Sequence, residues 1–169
     1  MRLALIVLTA TLTNASVANA WQLIKDEEDA FGTHQVQVAD IGLDGSGLTV
    51  SCNANKEFSI AYIVPVPPSI IDKLSGIDAT DKIQSELALK LQGSSTPITL
   101  QTSPTTWNEN HMAFATAPNT PEVESAAVAI AGAKGKLLVG IKMHDGNKIT
   151  SQLGTSQASL IKKVIEACK

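Results

Sequence analysis

The sequence predicts a mainly β (α+β) chain: an antiparallel β-sandwich or partly closed barrel with one short internal helix and a C-terminal amphipathic helix. Three observations predict it. Short runs of alternating apolar and polar residues recur between turn-forming clusters, the pattern of half-buried strands. One Ala-rich run opens with a capping residue and a proline. The last stretch carries an apolar stripe at helical spacing. About eight strands are expected, enough for a sandwich or barrel whose open side the final helix covers.

Residues 1–20 stand apart from that pattern. Met1-Arg2 is a short positive start, Leu3 to Leu8 is apolar, and Ala18-Asn19-Ala20 is a small-x-small cleavage site followed by Trp21. Charge, apolar core and cleavage site in that order predict a secretory signal peptide over 1–20. A buried N-terminal helix is the rival reading, but core helices rarely end in such a site. The apolar stretch is shorter than the ~20 residues a spanning helix needs, and no Cys follows the cleavage point to carry a lipid. The expectation is a periplasmic or secreted protein without an integral membrane anchor, its mature part a single β-rich domain over 21–169.

Within that domain, Trp21 to Lys25 begins extended and meets the acidic run Asp26-Glu27-Glu28-Asp29, read as a solvated connection. His34 to Ile41 alternates with period two. Leu43-Asp44-Gly45-Ser46-Gly47 is a turn, and Leu48 to Cys52 returns to complete a hairpin, with Leu48, Val50 and Cys52 on one face. Phe58 to Val64 is the next strand, stopped by Pro65, Pro67 and Pro68. Residues 69–82 are ambiguous. In Ile83 to Leu91 the composition favours helix, yet Ile83, Ser85, Leu87, Leu89 and Leu91 share one parity. The alternation is strict and predicts a strand. Ile98 to Thr102 and His111 to Thr116 continue the sheet.

Thr120-Pro121-Glu122-Val123-Glu124 starts the internal helix, running to about Ala131. Leu137 to Met143 and Lys148 to Leu153 flank the hairpin signal Asp145-Gly146. Ser156 is positioned to cap the last helix, whose stripe is Leu160, Ile161, Val164, Ile165 and Cys168, with Lys162 and Lys163 on the wet face.

Cys52 and Cys168 are the two cysteines of the chain. An even count in an exported protein points to a disulfide. Two free buried thiols and an intermolecular bridge are the alternatives. Cys52 lies on the apolar parity of its strand and Cys168 on the apolar stripe of its helix, so both face the one core this chain can build. No Cys-x-x-Cys motif is present to support redox catalysis.

Charge and motifs narrow the function. Lys plus Arg is 13 against 16 Asp plus Glu, a formal net charge of −3. The only arginine, Arg2, lies in the leader, so the mature chain has no guanidinium fork for phosphate or carboxylate. Binding to nucleic acid, which rests on clustered Lys and Arg, is not expected. There is no G-x-S-x-G, no phosphate-binding Gly-rich loop and no H-E-x-x-H. His34, His111 and His144 are scattered, the acidic run lacks the alternating ligands and Gly turn of a Ca²⁺ loop, and no cofactor or metal is expected. The one constellation with candidate site residues is Trp107-Asn108-Glu109-Asn110-His111. In an extended chain Glu109 and His111 share a face, as an acid–base pair or a polar binding rim beside Trp107. The plainer reading is a loop entering a strand.

The layout as a whole resembles known exported proteins. A leader is followed by Trp21, a strand ends in a single Cys (Leu48 to Cys52), Trp107 follows the strand pairs, and a polar strand, a short helix and a terminal Cys close the chain (Thr155 to Cys168). This is similar to small exported proteobacterial proteins of the invasion-associated locus B type and to type VI secretion-associated VasI-like proteins. The resemblance implies a non-catalytic accessory domain and transfers no catalytic residue. The mid-chain strands lack the basic residues expected of such proteins.

Three function classes follow. The leading one is an exported, non-catalytic binding or accessory domain that meets a protein partner through its surface. The second is a periplasmic inhibitor of a hydrolase such as lysozyme, which blocks its target by inserting a loop. The third is a small hydrolytic enzyme using Glu109 and His111.

Overall fold

The computed structural model describes residues 20–28, 30, 32–66, 85–143 and 146–169; at 106 and 107 it describes the backbone. Residues 1–19, Asp29, residues 67–84 (Pro67, Pro68 and Ile83 among them) and the His144-Asp145 pair of the last hairpin lie outside the described residues. Nine strands form a single antiparallel sheet: β1 (Gln22–Glu28), β2 (His34–Ile41), β3 (Gly47–Cys52), β4 (Phe58–Pro65), β5 (Ser85–Leu91), β6 (Ile98–Asn108), β7 (His111–Thr116), β8 (Lys136–Lys142) and β9 (Lys148–Gly154). Their order is β1-β2-β3-β4-β7-β6-β5-β8-β9. The sheet curls into a half-barrel, so of the two predicted architectures the partly closed barrel is the one formed. Helix α1 (Pro121–Gly132) joins β7 to β8. A 3₁₀ turn at Ala158–Leu160 leads into α2 (Ile161–Ala167). Among the described residues, no helix is long and apolar enough to cross a membrane.

The alternation explains the curl. Val36 and Val38 of β2, Leu48 and Val50 of β3, Ile60 and Tyr62 of β4, Leu87 and Leu89 of β5, and Leu137 and Val139 of β8 all point into the concave face and are buried. The two helices lie in that concavity, α1 over β4 and β6, α2 over β2 and β3. Val123, Ala126, Ala127 and Ile130 of α1 and Ile161, Val164 and Ala167 of α2 complete the core. Small residues on α1 let it sit close to the strands.

Local chemistry sets each helix. Thr120 accepts a hydrogen bond from the Val123 amide at 3.4 Å, and Pro121 occupies the first turn, as the sequence predicts. Asn119, in the left-handed region at φ 58°, ties the helix start to β4. Its side chain accepts from the Phe58 amide at 2.7 Å, and its own amide donates to the Phe58 carbonyl at 2.9 Å. Lys56 donates to the Ala167 carbonyl at 2.6 Å, a cation at the negative end of α2. Cys52 and Cys168 are joined by a disulfide, Cα atoms 5.6 Å apart, which fastens the end of α2 to β3.

Four expectations are corrected. The acidic run is not a connection: Asp26, Glu27 and Glu28 lie in edge strand β1, paired with His34 to Val36 of β2. Strand β1 is exposed along most of its length, so it shows no alternation to detect. Strand β6 extends past Thr102 to Asn108. Ser156 does not cap the last helix; it bridges to Ala20, and Gln157 at φ 60° separates it from the 3₁₀ turn. Finally, Glu109 and His111 do not share a strand face, because Glu109 falls in the β6–β7 turn.

The curl also brings the two ends of the sheet together. The Trp21 amide donates to the Ser156 carbonyl at 2.9 Å, and the Trp21 indole donates to the Gly154 carbonyl at 3.3 Å. The Gly154 amide donates to Asp40 Oδ2 at 2.9 Å. A few polar contacts thus tie β9 to the start of β1 and the end of β2.

Candidate functional site

Two constellations remain once the core is assigned, one on each face of the sheet. The first is a polar cluster at the seam. The β2–β3 turn places Asp44 and Ser46, β4 places Tyr62, and β9 places Ser151. Ser46 Oγ donates to Asp44 Oδ1 at 2.6 Å and shares a hydrogen bond with Ser151 Oγ at 2.6 Å. Tyr62 OH and Ser151 Oγ are also 2.6 Å apart, and Ser151 Oγ lies 3.2 Å from Asp44 Oδ2. The Ser46 hydroxyl holds the Asp44 carboxyl below its ordinary pKa, while burial pushes the Tyr62 phenol up. A carboxylate held low is a weak general base, and Ser46 and Tyr62 are fully enclosed. The cluster serves to join β9 to the β2–β3 hairpin.

The second constellation lies on the convex face, where β1, β2, β3, β4 and β7 leave a groove of about 280 Å³. Its floor is small: Ala39, Gly47 and Thr49. The buried Ile63 joins that floor, Ile24 and Ile41 form the walls, and Gln37, Asn108 and His111 are the polar members. Outward positions of these strands carry aliphatic residues where a solvated face would be polar. Ile41 is 59% exposed and Ile24 52% exposed. Ile24 sits at an irregularity in the β1–β2 ladder, between Leu23 opposite Val38 and Lys25 opposite Gln37. A bulge of this kind re-aims a side chain. Gly47 keeps the floor low, since a Cβ there would come within 3.0 Å of the Asp40 carbonyl oxygen.

His111 forms the polar end of the groove. It is the first residue of β7, opposite Pro65 of β4. Its Nδ1 is 3.0 Å from Asn108 Oδ1, and the same Asn108 oxygen accepts the Asn110 amide at 2.9 Å, so the turn holds the ring. Gly45 of the β2–β3 turn lies beside the ring's Nε2. Among the described residues, no carboxylate or lysine lines the groove. Such a surface suits an aliphatic side chain flanked by a hydrogen-bonding backbone or amide.

Of the three residues singled out by the sequence, the structure brings His111 into this groove. Glu109 is exposed at the β6–β7 turn and makes no described contact with His111. Trp107 lies in β6 at a register shift between Thr106 and Asn108, and its side chain lies outside the described residues. Sequence reasoning missed Ile24, Ala39, Ile41 and Ile63. A signal for them was present: Tyr62-Ile63-Val64 and Val38-Ala39 set apolar residues on both parities, the mark of strands covered on two sides.

No protein-family model, curated protein or solved structure matches the chain.

Proposed function

We propose that this protein is an exported, non-catalytic binding domain, periplasmic or secreted, that holds a protein partner in the convex groove. The observation that carries the reading is the apolar groove on the convex face, where the exposed Ile24 and Ile41 flank the buried Ile63 and no described lining residue is charged. Exposed aliphatic clusters with a polar rim are characteristic of protein-interaction sites. The leader-like residues 1–20 and the disulfide support export. Lack of arginine in the mature chain and the negative net charge argue against a nucleic-acid partner. The layout shared with the invasion-associated locus B and VasI-like types supports an accessory role.

The test is affinity capture from a periplasmic extract with three baits: the native domain, Ile41→Lys in the groove, and Leu138→Lys on the distant β8. The expected result is a partner retained by the native and Leu138→Lys baits and lost with Ile41→Lys. Equal retention on all three would remove the groove from the account. The hydrolase-inhibitor reading draws on Leu43, 89% exposed at the tip of the β2–β3 turn. If it holds, the captured protein is a hydrolase whose turnover falls on adding the native domain and recovers with Leu43→Ser.

A further inference from the structure

The sharpest anomaly in the molecule is Asp40. It is 0% exposed, and its Oδ1 has no hydrogen-bond partner among the described residues. Its other oxygen is satisfied by the Gly154 amide. Burial raises its pKa, and the Gly154 hydrogen bond only partly offsets this. A buried carboxylate with one empty acceptor is costly, so this position calls for a missing donor.

The register indicates which donor. In the β1–β2 ladder Gln22 faces Ala39 and Leu23 faces Val38. The ladder ends at the Gln22 pair, and continuing its register by one residue sets Trp21 opposite Asp40. Directly opposed residues of an antiparallel pair have Cα atoms about 4.5–5.5 Å apart and side chains on the same face. Trp21 is itself 0% exposed. Gly154 touches both residues, its carbonyl taking the Trp21 indole and its amide reaching Asp40. While Ala20 is attached, the Trp21 nitrogen has a single hydrogen, already donated to the Ser156 carbonyl.

We propose that cleavage after Ala20 turns the Trp21 nitrogen into a buried α-ammonium that pairs with Asp40 Oδ1 and locks the seam of the half-barrel. The inference rests on the export reading, since it needs the leader removed at that bond. Hydrolysis adds one water: the Ala20 carbonyl leaves as a carboxylate, and the Trp21 nitrogen gains two hydrogens to become –NH₃⁺. One N–H stays on the Ser156 carbonyl, and another fills the empty position on Asp40. Other ionisable groups at the seam do not compete. Asp44 is engaged by Ser46 and Ser151, Tyr62 by Ser151, and no Lys or His nitrogen forms an ion pair with Asp40 among the described residues. Processing thus completes the fold: the precursor carries an unpaired buried carboxylate that the mature chain neutralises.

The test compares four oxidised chains released with defined N-termini: starting at Trp21 or at Ala20, each with Asp40 or with Asp40→Asn. Starting at Trp21 removes no strand or helix of the described fold. With Asp40 intact, retaining Ala20 should lower Tm by about 5 °C or more, the range expected when a buried pair is lost from a domain this size. With Asp40→Asn the two starts should melt within about 1 °C of each other. Equal Tm losses in both backgrounds would overturn the pairing. A second readout is acylation of the α-amine near neutral pH. The Trp21 amine should be protected in the native chain and reactive with Asp40→Asn; free reactivity in the native chain would also overturn it. Mass spectrometry of the exported protein tests the other premise separately. A start other than Trp21 would end the processing role, while the four-chain comparison would still decide whether this nitrogen and Asp40 can pair.

Discussion

The two faces of this sheet are built from the same strands and have opposite fates. On the concave face, β2, β3 and β4 present Val36, Val38, Leu48, Val50, Ile60 and Tyr62 to helices that the chain itself supplies. On the convex face, the same strands line a groove with Ala39, Ile41, Gly47, Thr49 and Ile63, of which Ile41 stays exposed. One face has large residues, a disulfide and buried polar stitching. The other has small residues, a low floor and exposed aliphatic walls. A strand's two parities can therefore be specified independently, one for folding and one, on the function proposed above, for recognition. Each prediction below probes one side of that division, from the largest expected effect to the smallest.

The largest effect belongs to the helix in the concavity. Ile161 is fully buried, whereas its neighbour Lys162 is exposed. Ile161→Asp should cost roughly 3–5 kcal/mol, because it combines lost apolar packing with a buried, unpaired carboxylate. Lys162→Asp should stay within about 0.5 kcal/mol. Urea unfolding of the two variants measures the difference, and similar losses would mean that α2 is not docked by its stripe.

Next comes the covalent tie. Reducing Cys52–Cys168, which spans a sequence separation of 116, should cost about 2–4 kcal/mol. The tether holds a chain end, so α2 should lose hydrogen-exchange protection before the strands do. Uniform loss of protection would place the disulfide's effect in the whole domain instead.

The seam ranks third. Ser151 meets Ser46, Tyr62 and Asp44 at once. Ser151→Ala leaves the enclosed Tyr62 hydroxyl without that partner and should cost about 1–3 kcal/mol in thermal or chemical unfolding. A loss confined to a few tenths would mean water replaces the serine. The same cluster predicts a pH response. Hydrogen bonding lowers the Asp44 pKa in the folded state, so this group's stabilisation is present above the ordinary carboxylate range. It is lost as pH falls from that range through the lowered value. Asp44→Asn should flatten that part of the acid limb of a Tm-versus-pH curve; an unchanged acid limb would contradict it.

These differences also mark what was legible in the sequence. Period-two alternation located β2 to β5, and at Ser85–Leu91 it outweighed a helix-favouring composition because the inward Leu87 and Leu89 are fully buried. The two cysteines could be paired because each sat on an apolar face of its own element. Trp21 to Lys25 read as extended, but the acidic half of β1, Asp26 to Glu28, escaped notice because an exposed edge strand needs no alternation. The seam escaped for a different reason. Ser46 and Ser151 are separated by 105 residues, and only the curl of the sheet makes them neighbours. The groove lay in between: its apolar outward residues were visible one by one, but their convergence depends on register.

The smallest expected effect on stability is the most informative about the division between the faces. Ile41 is large and aliphatic, yet 59% exposed on the convex side. Little of it is removed from water by folding, so Ile41→Lys should change the unfolding free energy by no more than about 0.5 kcal/mol. A strand-edge lysine also keeps its ammonium in solvent while its stem lies along the groove. If Ile41 served the fold, the change would cost more and partner capture would fall with the folded fraction. If it serves recognition, the unfolding curve stays in place while capture is lost. Measuring both on the same sample separates the two, and an unmoved melting curve with undiminished capture would assign Ile41 to neither.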